Sequence, residues 1–334
     1  MHFAHRQTKG DTMTLDLTLF DSNPNTTADS NLSAEMRTYY SDYLIDNAKP
    51  NLVHDQFGQK HPIPKNGGKT IQFRKFVPFS KATAPLSEGI TPDGGALSVT
   101  NVTASVEQYG YYVTISDMLM LTAVDNTLVE TTKLLGAQAG STLDTITREV
   151  LNGGTSVMYA GGKEAREALD ETCKLKVDDV YKAARFLKTQ NAPKIDGSYV
   201  AIIHPDVAYD LMRDEEWIDV HKYNSTTEIF EGEIGKLAGV RFVESTEAKI
   251  FSGEGANARD IYSTLVLGAN AYGVTEVTGG GLEHIVKQLG SGGTADPLNQ
   301  RATAGWKGTK TAERLVENYM IRIESASSFE SGNN

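Results

Sequence analysis

A chain of 334 residues with 39% hydrophobic and 22% charged residues has the composition of a folded globular protein, long enough for two compact domains or one elongated one. Its formal net charge of -11 argues against general nucleic-acid binding, which needs clustered lysine and arginine. The single cysteine, Cys173, excludes an internal disulfide and a cysteine-cluster zinc site. No apolar run approaches the roughly 20 residues of a membrane span, and no signal-peptide core is present, so we expect synthesis in the cytoplasm.

The N-terminal part of the chain predicts an arm followed by a helix. Residues 1–34 are polar and lack hydrophobic periodicity, as in a segment that is mobile or ordered only against a partner. Apolar and aromatic residues then recur at helical spacing from Glu35 to Ala48. Pro50 ends this predicted helix, because proline cannot continue it.

The segment 64–76, PKNGGKTIQFRKF, contains the Gly-Gly-Lys-Thr sequence that also closes a phosphate-binding loop. Such a loop needs a glycine five positions before its second glycine and a helix after it. Ile63 occupies the required glycine position, and the residues that follow alternate as in a strand. We therefore predict a turn at 66–68 that opens a β-hairpin and no nucleotide site.

Residues 69–116 are predicted to form one long hairpin, the extended loop. Strand-like alternation covers 69–79 and resumes after a Pro- and Gly-rich stretch, with a change of phase between Val99 and Val102 that suggests a bulge. The tip, 80–95, holds too few large apolar residues to pack on a core of its own, so it needs support from elsewhere. The alternative is a functional surface loop of a monomer.

The clearest helix is predicted over 127–151, where apolar residues recur at intervals of three, four and seven. Gly136 and Gly140 lie inside it, and each costs about 1 kcal/mol relative to alanine. Close approach of another backbone would explain both glycines.

A mixed α/β unit is predicted after this helix. A second helix is expected over 177–190, and a buried strand, a turn and a helix over 198–212. His204 precedes Pro205 at that turn, where we expect a turn or cap residue and not a catalyst. Further strands are predicted over 263–274, 303–312 and 319–324.

No catalytic, cofactor-binding or metal-binding residue is predicted. The histidines show no i, i+4 pair of the kind that holds a metal on a helix. Glu283 and His284 are adjacent, so in a strand they would face opposite sides. The glycines at 232, 235 and 239 do not make a dinucleotide fingerprint, because their spacing differs and a strand follows them.

Four stretches are long and distinctive: AKPNLVHDQFGQKHPIPKNGGKTIQFRKF, YVAIIHPDVAYDL, EGEIGKLAGVRFVES and GGGLEHIVKQLGSGGTADPLNQRATAGWK. Together with the order of the parts, they resemble the major capsid proteins of tailed phages, and within these the N-four-like major capsid proteins. This fold is shared with encapsulin shells and the herpesvirus capsid floor. The resemblance covers nearly the whole chain, from about residue 35 to 325.

The resemblance implies an α+β fold, the tailed-phage major capsid fold, in which a long spine helix supports a peripheral domain and an axial α/β domain lies near the capsomer centre. The implied segments are an N-terminal arm at 1–68, the extended β-hairpin loop at 69–116, the peripheral domain with its spine helix at 117–160, the axial domain at 161–299, peripheral return strands at 300–325 and a tail at 326–334.

The resemblance also implies a structural protein without enzymatic activity or cofactor. It would self-assemble as hexamers and pentamers into an icosahedral virion capsid that encloses double-stranded DNA without sequence-specific binding. Assembly would take place in the host cytoplasm, away from membranes, with scaffolding, portal and decoration proteins as partners. Each extended loop would lie on a neighbouring subunit, and the expected contacts are Leu86, Glu88, Ile90 and Asp93.

Two other classes stay open at this point. An encapsulin-type compartment would use the same fold to hold protein cargo. An α/β enzyme would need a site that the sequence does not reveal.

Overall fold

The computed structural model describes residues 44–48, 51–62, 69–76, 94–122, 127–222, 235–276, 281–293 and 296–329, together with isolated positions between 79 and 91. The predicted arm at 1–34, the predicted turn at 66–68 and three of the four expected contacts, Leu86, Ile90 and Asp93, lie outside the described residues.

Within this part of the chain, strands are grouped at both ends and most α-helices lie between residues 117 and 222. The helices are α1 at 44–48, α2 at Asp117–Thr122, α3 at Thr127–Asn152, α4 at Val177–Thr189, α5 at Pro205–Met212 and α6 at Glu215–Lys222. The strands are β1 at Gln59–His61, β2 at Thr70–Phe76, β3 at Val99–Ser105, β4 at Glu107–Ser116, β5 at Val157–Tyr159, β6 at Tyr199–Ile203, β7 at Lys236–Leu237, β8 at Val240–Glu244, β9 at Ile250–Phe251, β10 at Ile261–Leu267, β11 at Tyr272–Thr275, β12 at Leu282–Lys287, β13 at Arg301–Lys310, β14 at Ala312–Arg314 and β15 at Met320–Ser325.

The largest sheet has seven strands, six of them in the order β5-β15-β10-β6-β8-β7, with β9 beside β10. Every residue of β6 and β10 is buried, as expected for strands with a nearly continuous apolar sequence. Helices α4 and α5 pack on this sheet in one hydrophobic cluster that includes Leu187, Leu211 and Phe242. The helix predicted over 177–190 and the strand, turn and helix predicted over 198–212 are confirmed.

A second sheet, of order β12-β13-β4, lies against the long helix α3, which confirms the helix predicted over 127–151. Leu282 and Trp306 pack against Leu135 and Leu143 of α3. The Trp306 indole Nε1–H donates to Gln138 Oε1 at 2.7 Å. One face of this sheet is therefore fixed on the helix.

The two glycines inside α3 lie where α1 crosses it. A Cβ atom on Gly136 would come within 2.8 Å of the Leu44 carbonyl oxygen, and one on Gly140 would overlap the carbonyl oxygen of Ala48. The side-chain amide of Asn51 donates to the Ala137 carbonyl at 3.2 Å. The predicted close approach of another backbone is confirmed.

Strands β2 and β3 form the predicted antiparallel hairpin. Their register is unbroken along all seven residue pairs, so the bulge predicted between Val99 and Val102 is wrong. The change of phase occurs at Val106, a buried residue between β3 and β4. Beyond it, β4 leaves the hairpin and pairs with β13.

The segment 263–274 contains two strands where one was predicted. The chain turns between β10 and β11, where Asn270 has a φ of 59°. After this turn, β11 pairs with β1 and β14 in a separate three-stranded sheet. The apolar character of both strands hid the break, because each of them is fully buried.

The first residues of the predicted tail are not frayed. Ala326 and Ser327 are fully buried. The carboxylate of Asp210 on α5 accepts hydrogen bonds from Ser327 Oγ at 2.9 Å and from the Ser328 amide at 2.7 Å. The segment 326–329 is therefore docked on helix α5 through polar groups.

The two large sheets cut across the predicted domain limits. β12 falls within the predicted axial segment 161–299, yet it pairs with β13. β15 falls within the predicted peripheral segment 300–325, yet it pairs with β10 in the seven-stranded sheet. Limits at 160 and 299 therefore do not separate one sheet from the other.

Candidate inter-subunit surface

The extended loop is fixed to its own subunit only at its base. Ile71 and Phe73 of β2 and Ala104 of β3 are buried there in one cluster. Towards the tip, the side chain of Val99 is 43% exposed and that of Leu97 is 62% exposed. Apolar side chains on the distal half of the hairpin thus meet water in the isolated subunit.

Of the four residues predicted to contact a neighbour, the structure describes one. Glu88 is exposed, as are the neighbouring described positions 85, 89 and 91. Leu86, Ile90 and Asp93 lie outside the described residues, so their contact role stays a prediction.

The outer face of the β12-β13-β4 sheet is a second exposed surface. Tyr112, Gly305 and Ile285 face one another across the three strands. Tyr112 is 68% exposed, and a Cβ on Gly305 would lie 2.7 Å from the Tyr112 Cβ, so glycine leaves room for the tyrosine. Beside them, Lys307 Nζ and Glu283 Oε2 form an ion pair at 3.2 Å.

Helix α2 is the exposed element that the sequence analysis missed. It contains no buried residue, although four of its six residues are large and apolar. Met118, Leu119, Met120 and Leu121 follow one another without the spacing that predicts an amphipathic helix. The sequence signal for an exposed apolar segment was the run MLML itself, because no core was predicted near it.

Buried charges join segment 51–62 to the rest of the fold. His54 Nδ1 lies 2.6 Å from Asp144 Oδ2 of α3, and Asp55 accepts a hydrogen bond from Thr147 and pairs with Lys310 Nζ of β13. His54 and Asp144 are 0% exposed and Lys310 is 1% exposed. Because these groups are closed off from solvent, they serve as a structural joint and not as a site that meets a substrate.

The same burial acts on Tyr272, whose hydroxyl donates to the carbonyl oxygen of His54. Burial, together with the nearby carboxylates of Asp55 and Asp144, raises the pKa of the Tyr272 phenol well above its usual value. The tyrosine therefore stays a neutral hydrogen-bond donor within the joint.

His204 caps helix α5, as predicted. Its Nδ1 accepts a hydrogen bond from the backbone N–H of Asp206 at 3.2 Å, and Pro205 occupies the first helical position. Burial lowers the pKa of His204, and the attraction of Asp206 offsets part of this shift. The Tyr262 hydroxyl donates to Asp206 at 2.9 Å, so the group is tied into the fold.

The two motifs that resemble nucleotide sites are parts of hairpins. Strand β2 begins at Thr70, the last residue of Gly-Gly-Lys-Thr, where a strand was predicted. Ala238 with a φ of 55° and Gly239 with a φ of 85° make the tight turn between β7 and β8, a turn type typical of two-residue hairpins. Neither motif leads into a helix N-terminus that could bind phosphate.

Other chemistry is absent from the described part of the chain. No group of three or more His, Cys, Asp or Glu residues is placed there to hold a metal ion. Glu283 is exposed and its neighbour His284 is half-buried, which confirms that they face opposite sides of β12. Among the helices between residues 44 and 329 that the structure describes, none combines the length and apolarity needed to cross a membrane.

Comparison with known families decides the class. The sequence model of a family described as phage capsid protein matches residues 100–313, more than half of the chain. The chain belongs to the phage capsid protein family. This capsid protein is a structural major capsid protein of a phage shell, it associates with itself to build that shell, and it resides in the virion. The predicted function is confirmed, and the family match favours it over an encapsulin-type compartment.

Solved structures support the fold of the capsid protein. The capsid of cyanophage P-SCSP1u matches with a TM-score of 0.63 at 16% identity, over 83% of this chain and 89% of that one. The capsid of Ralstonia phage GP4 matches with a TM-score of 0.62 at 15% identity, over 79% and 85%. A virus-like particle from Pyrococcus furiosus matches with a TM-score of 0.51 at 11% identity, over 86% and 99%. At these identities the likeness shows the fold, and it confirms the predicted α+β capsid fold. No curated protein sequence matches the chain.

Proposed function

We propose that this capsid protein forms hexamers and pentamers that close into an icosahedral shell around double-stranded DNA, and that the hairpin of each extended loop, 69–105, lies on a neighbouring subunit, while β4 stays in the sheet of its own subunit. The proposed contact between the loop and a neighbour rests on the exposure of apolar side chains along the hairpin. Its base is packed, whereas Phe79, Leu97 and Val99 nearer the tip are 65%, 62% and 43% exposed.

A neighbouring subunit would supply the packing that the two-stranded hairpin lacks on its own. A two-stranded hairpin without a third strand or a packed layer is marginally stable in water. Contact with a neighbouring subunit would bury the distal apolar side chains and cover an otherwise free strand edge. A contact between two different surfaces, repeated with rotation, closes into rings and shells. Leu86, Glu88, Ile90 and Asp93 are the proposed tip residues in this contact.

The remaining roles extend this proposal. The net charge of -11 suits a container that must not bind its packed DNA tightly. We assign no catalytic role to any residue, because the buried charged groups serve the fold. Scaffolding, portal and decoration proteins are proposed partners, and the host cytoplasm is the proposed place of assembly.

We further propose that the β12-β13-β4 sheet with α3 forms the peripheral domain and that the seven-stranded sheet forms the axial domain. In this division β12 belongs to the peripheral domain and β15 to the axial domain, the reverse of their predicted assignment.

Replacing residues 80–95 by a short Gly-Ser turn tests the proposal. The far-ultraviolet circular dichroism spectrum and the melting temperature of the unassembled subunit should stay nearly unchanged, because the tip adds nothing to the subunit core. Closed shells, counted by sedimentation and electron microscopy, should be lost. Normal shells from the trimmed protein, or an unfolded subunit, would show that the loop has another role.

A further inference from the structure

We infer that helix α2, with Leu298 beside it, is a second inter-subunit contact, and that another copy of this chain covers it when the shell forms. We call Met118, Leu119, Met120, Leu121 and Leu298 the α2 surface. The inference rests on the proposed assembly into a shell, but its structural evidence is independent of the extended loop.

The α2 surface is apolar on every side of the helix. Met118 is 62%, Leu119 50%, Met120 40% and Leu121 80% exposed. Successive residues of an α-helix project about 100° apart, so four in a row surround the axis. A helix on the surface of a globular protein normally has an apolar stripe and a polar face, and a helix that is apolar all round is a buried one. The described part of the subunit does not bury α2, so we assign its cover to another copy of the chain.

The polar residues at the two ends of α2 form hydrogen bonds with the backbone of the helix itself, and no polar residue lies between them. Asp117 Oδ1 accepts from the Met118 amide at 2.8 Å, and the Thr122 hydroxyl donates to the Met118 carbonyl at 2.7 Å. Both groups close the helix on itself. The solvent-facing part of α2 thus consists of methionine and leucine side chains.

The subunit holds α2 mainly by its N-terminal end. The Asp117 amide donates to the Gln300 carbonyl at 3.1 Å, and Ser116 Oγ accepts from the Leu119 amide at 3.3 Å. A helix of six residues is far shorter than the ~12–15 residues that an isolated helix needs to be even marginally stable in water. Without packing on its side chains, α2 lacks the contacts that stabilise short helices in proteins.

Leu298 extends the surface onto the connection between β12 and β13. It is 76% exposed and lies two residues before Gln300, which is bonded to the start of α2. The helix at the end of β4 and this connection therefore share one end of the β12-β13-β4 sheet. A neighbouring copy in a shell can reach this end of the sheet.

A second copy fits this surface better than DNA does. Contacts with phosphate need lysine or arginine, and the run 117–122 contains none and carries the acidic Asp117. Subunits with a net charge of -11 repel one another, so apolar contacts are the kind that can hold them together. One six-residue helix is much smaller than the ~800 Å² per partner of a standard stable interface. The contact therefore acts with others in the shell and does not make a stable dimer in solution.

Leu121→Lys tests the inference, with Leu121→Met as its matched apolar control. Because the Leu121 side chain is 80% exposed, the Leu121→Lys subunit should fold and melt like the wild type. Its yield of closed shells should fall by about tenfold or more, the effect of losing about 1.4 kcal/mol per contact, while Leu121→Met keeps the wild-type yield. Wild-type shell yield from Leu121→Lys, or failure of that subunit to fold, would overturn the inference.

A labelling experiment gives a second measurement on intact particles. The one native cysteine, Cys173, is buried, so Leu121→Cys adds a single accessible thiol. Maleimide should react with it in the free subunit and about tenfold or more slowly in the shell, as expected for a site closed by a contact of about 1.4 kcal/mol. Equal reactivity in both would overturn the inference.

The two proposals fail in distinguishable ways. A wild-type chain that never assembles contradicts the proposed function and, with it, the α2 contact. Normal shells from Leu121→Lys contradict the α2 contact alone and leave the proposed function standing.

Discussion

The seven-stranded sheet and the extended loop show opposite relations between a strand and its own subunit. In β10, at the centre of the sheet, all seven residues are buried. In β3, on the hairpin, one residue of seven is buried. The sheet is completed by its own chain, whereas the hairpin, like α2, has apolar side chains that the described part of its own chain leaves uncovered. In a capsid protein this difference indicates which parts fold the subunit and which parts join it to others.

The contrast has its origin in the sequences of the strands. IYSTLVL in β10 is mostly apolar at both odd and even positions, so both faces can enter a core. VTNVTAS in β3 has only three apolar residues, Val99, Val102 and Ala104, and they do not all lie on one face, so little of the strand can be buried. Within the described residues, most of β3 has no layer packed against it.

The largest effect should separate two lysines of β13, one buried inside the fold and one on an exposed sheet face. Lys310→Met would leave the Asp55 carboxylate buried without its cation and should lower the free energy of unfolding by about 3–5 kcal/mol. Lys307→Met, on the exposed sheet face, breaks a pair with Glu283 that is open to water and should cost about 0–1 kcal/mol. Denaturant unfolding of both subunits measures the difference, and equal losses would contradict the assignment of Lys310 to a closed joint.

Two glycines sharpen the same comparison with a smaller effect. Gly140→Ala places a Cβ against the Ala48 carbonyl and the Asn51 side chain and should destabilise the subunit by about 1–3 kcal/mol. Gly94→Ala, in the extended loop, meets nothing within 4 Å and should change stability by no more than about 0.5 kcal/mol. Thermal melting of the two variants checks this, and a tolerated alanine at 140 would show that α1 is not packed on α3 as described.

The smallest effect concerns pH. Because burial lowers the pKa of His204 below its ordinary value of 6.5, the unfolded chain takes up this proton at a higher pH than the folded subunit does. His204 therefore contributes stability above pH 6.5 that is lost as the pH falls below that value. His204→Asn keeps a capping residue and should change stability at about pH 8 by about 1 kcal/mol or less.

The variant should also lose less stability than the wild type between about pH 8 and about pH 5, as linkage requires when a titrating group is removed. His284, whose pKa burial also lowers, is present in both proteins and cancels from the comparison. Melting curves across this range that fall in parallel would contradict the role given to His204.

The sequence predicted those elements whose pattern repeats along the chain itself. The seven- and four-residue steps of α3, the apolar face of α4 and the paired glycines Gly136 and Gly140 all encode local geometry, and the structure confirms each of them. The hairpin was predictable for the same reason, since alternation on both sides of a Pro- and Gly-rich stretch is a local signal.

What escaped prediction depends on partners far along the chain. Alternation in β12 and β15 shows that they are strands but not which sheet each of them joins, because pairing is decided by tertiary contacts. The docking of Ser327 depends on Asp210, more than a hundred residues away. In the candidate surface, Glu88 is exposed and its contact role stays a prediction, whereas α2 was missed because its apolar residues have no helical periodicity.

Hydrogen exchange of the free subunit and of assembled shells tests the central claim most directly. If the extended loop and α2 are completed by neighbouring copies, amides in 94–105 and 117–122 should exchange at least about tenfold more slowly in shells than in the free subunit, because assembly suppresses their local opening. Amides of β6 and β10 should be strongly protected in both states. Protection of 94–105 and 117–122 that already equals that of β10 in the free subunit, or that stays unchanged on assembly, would contradict the account.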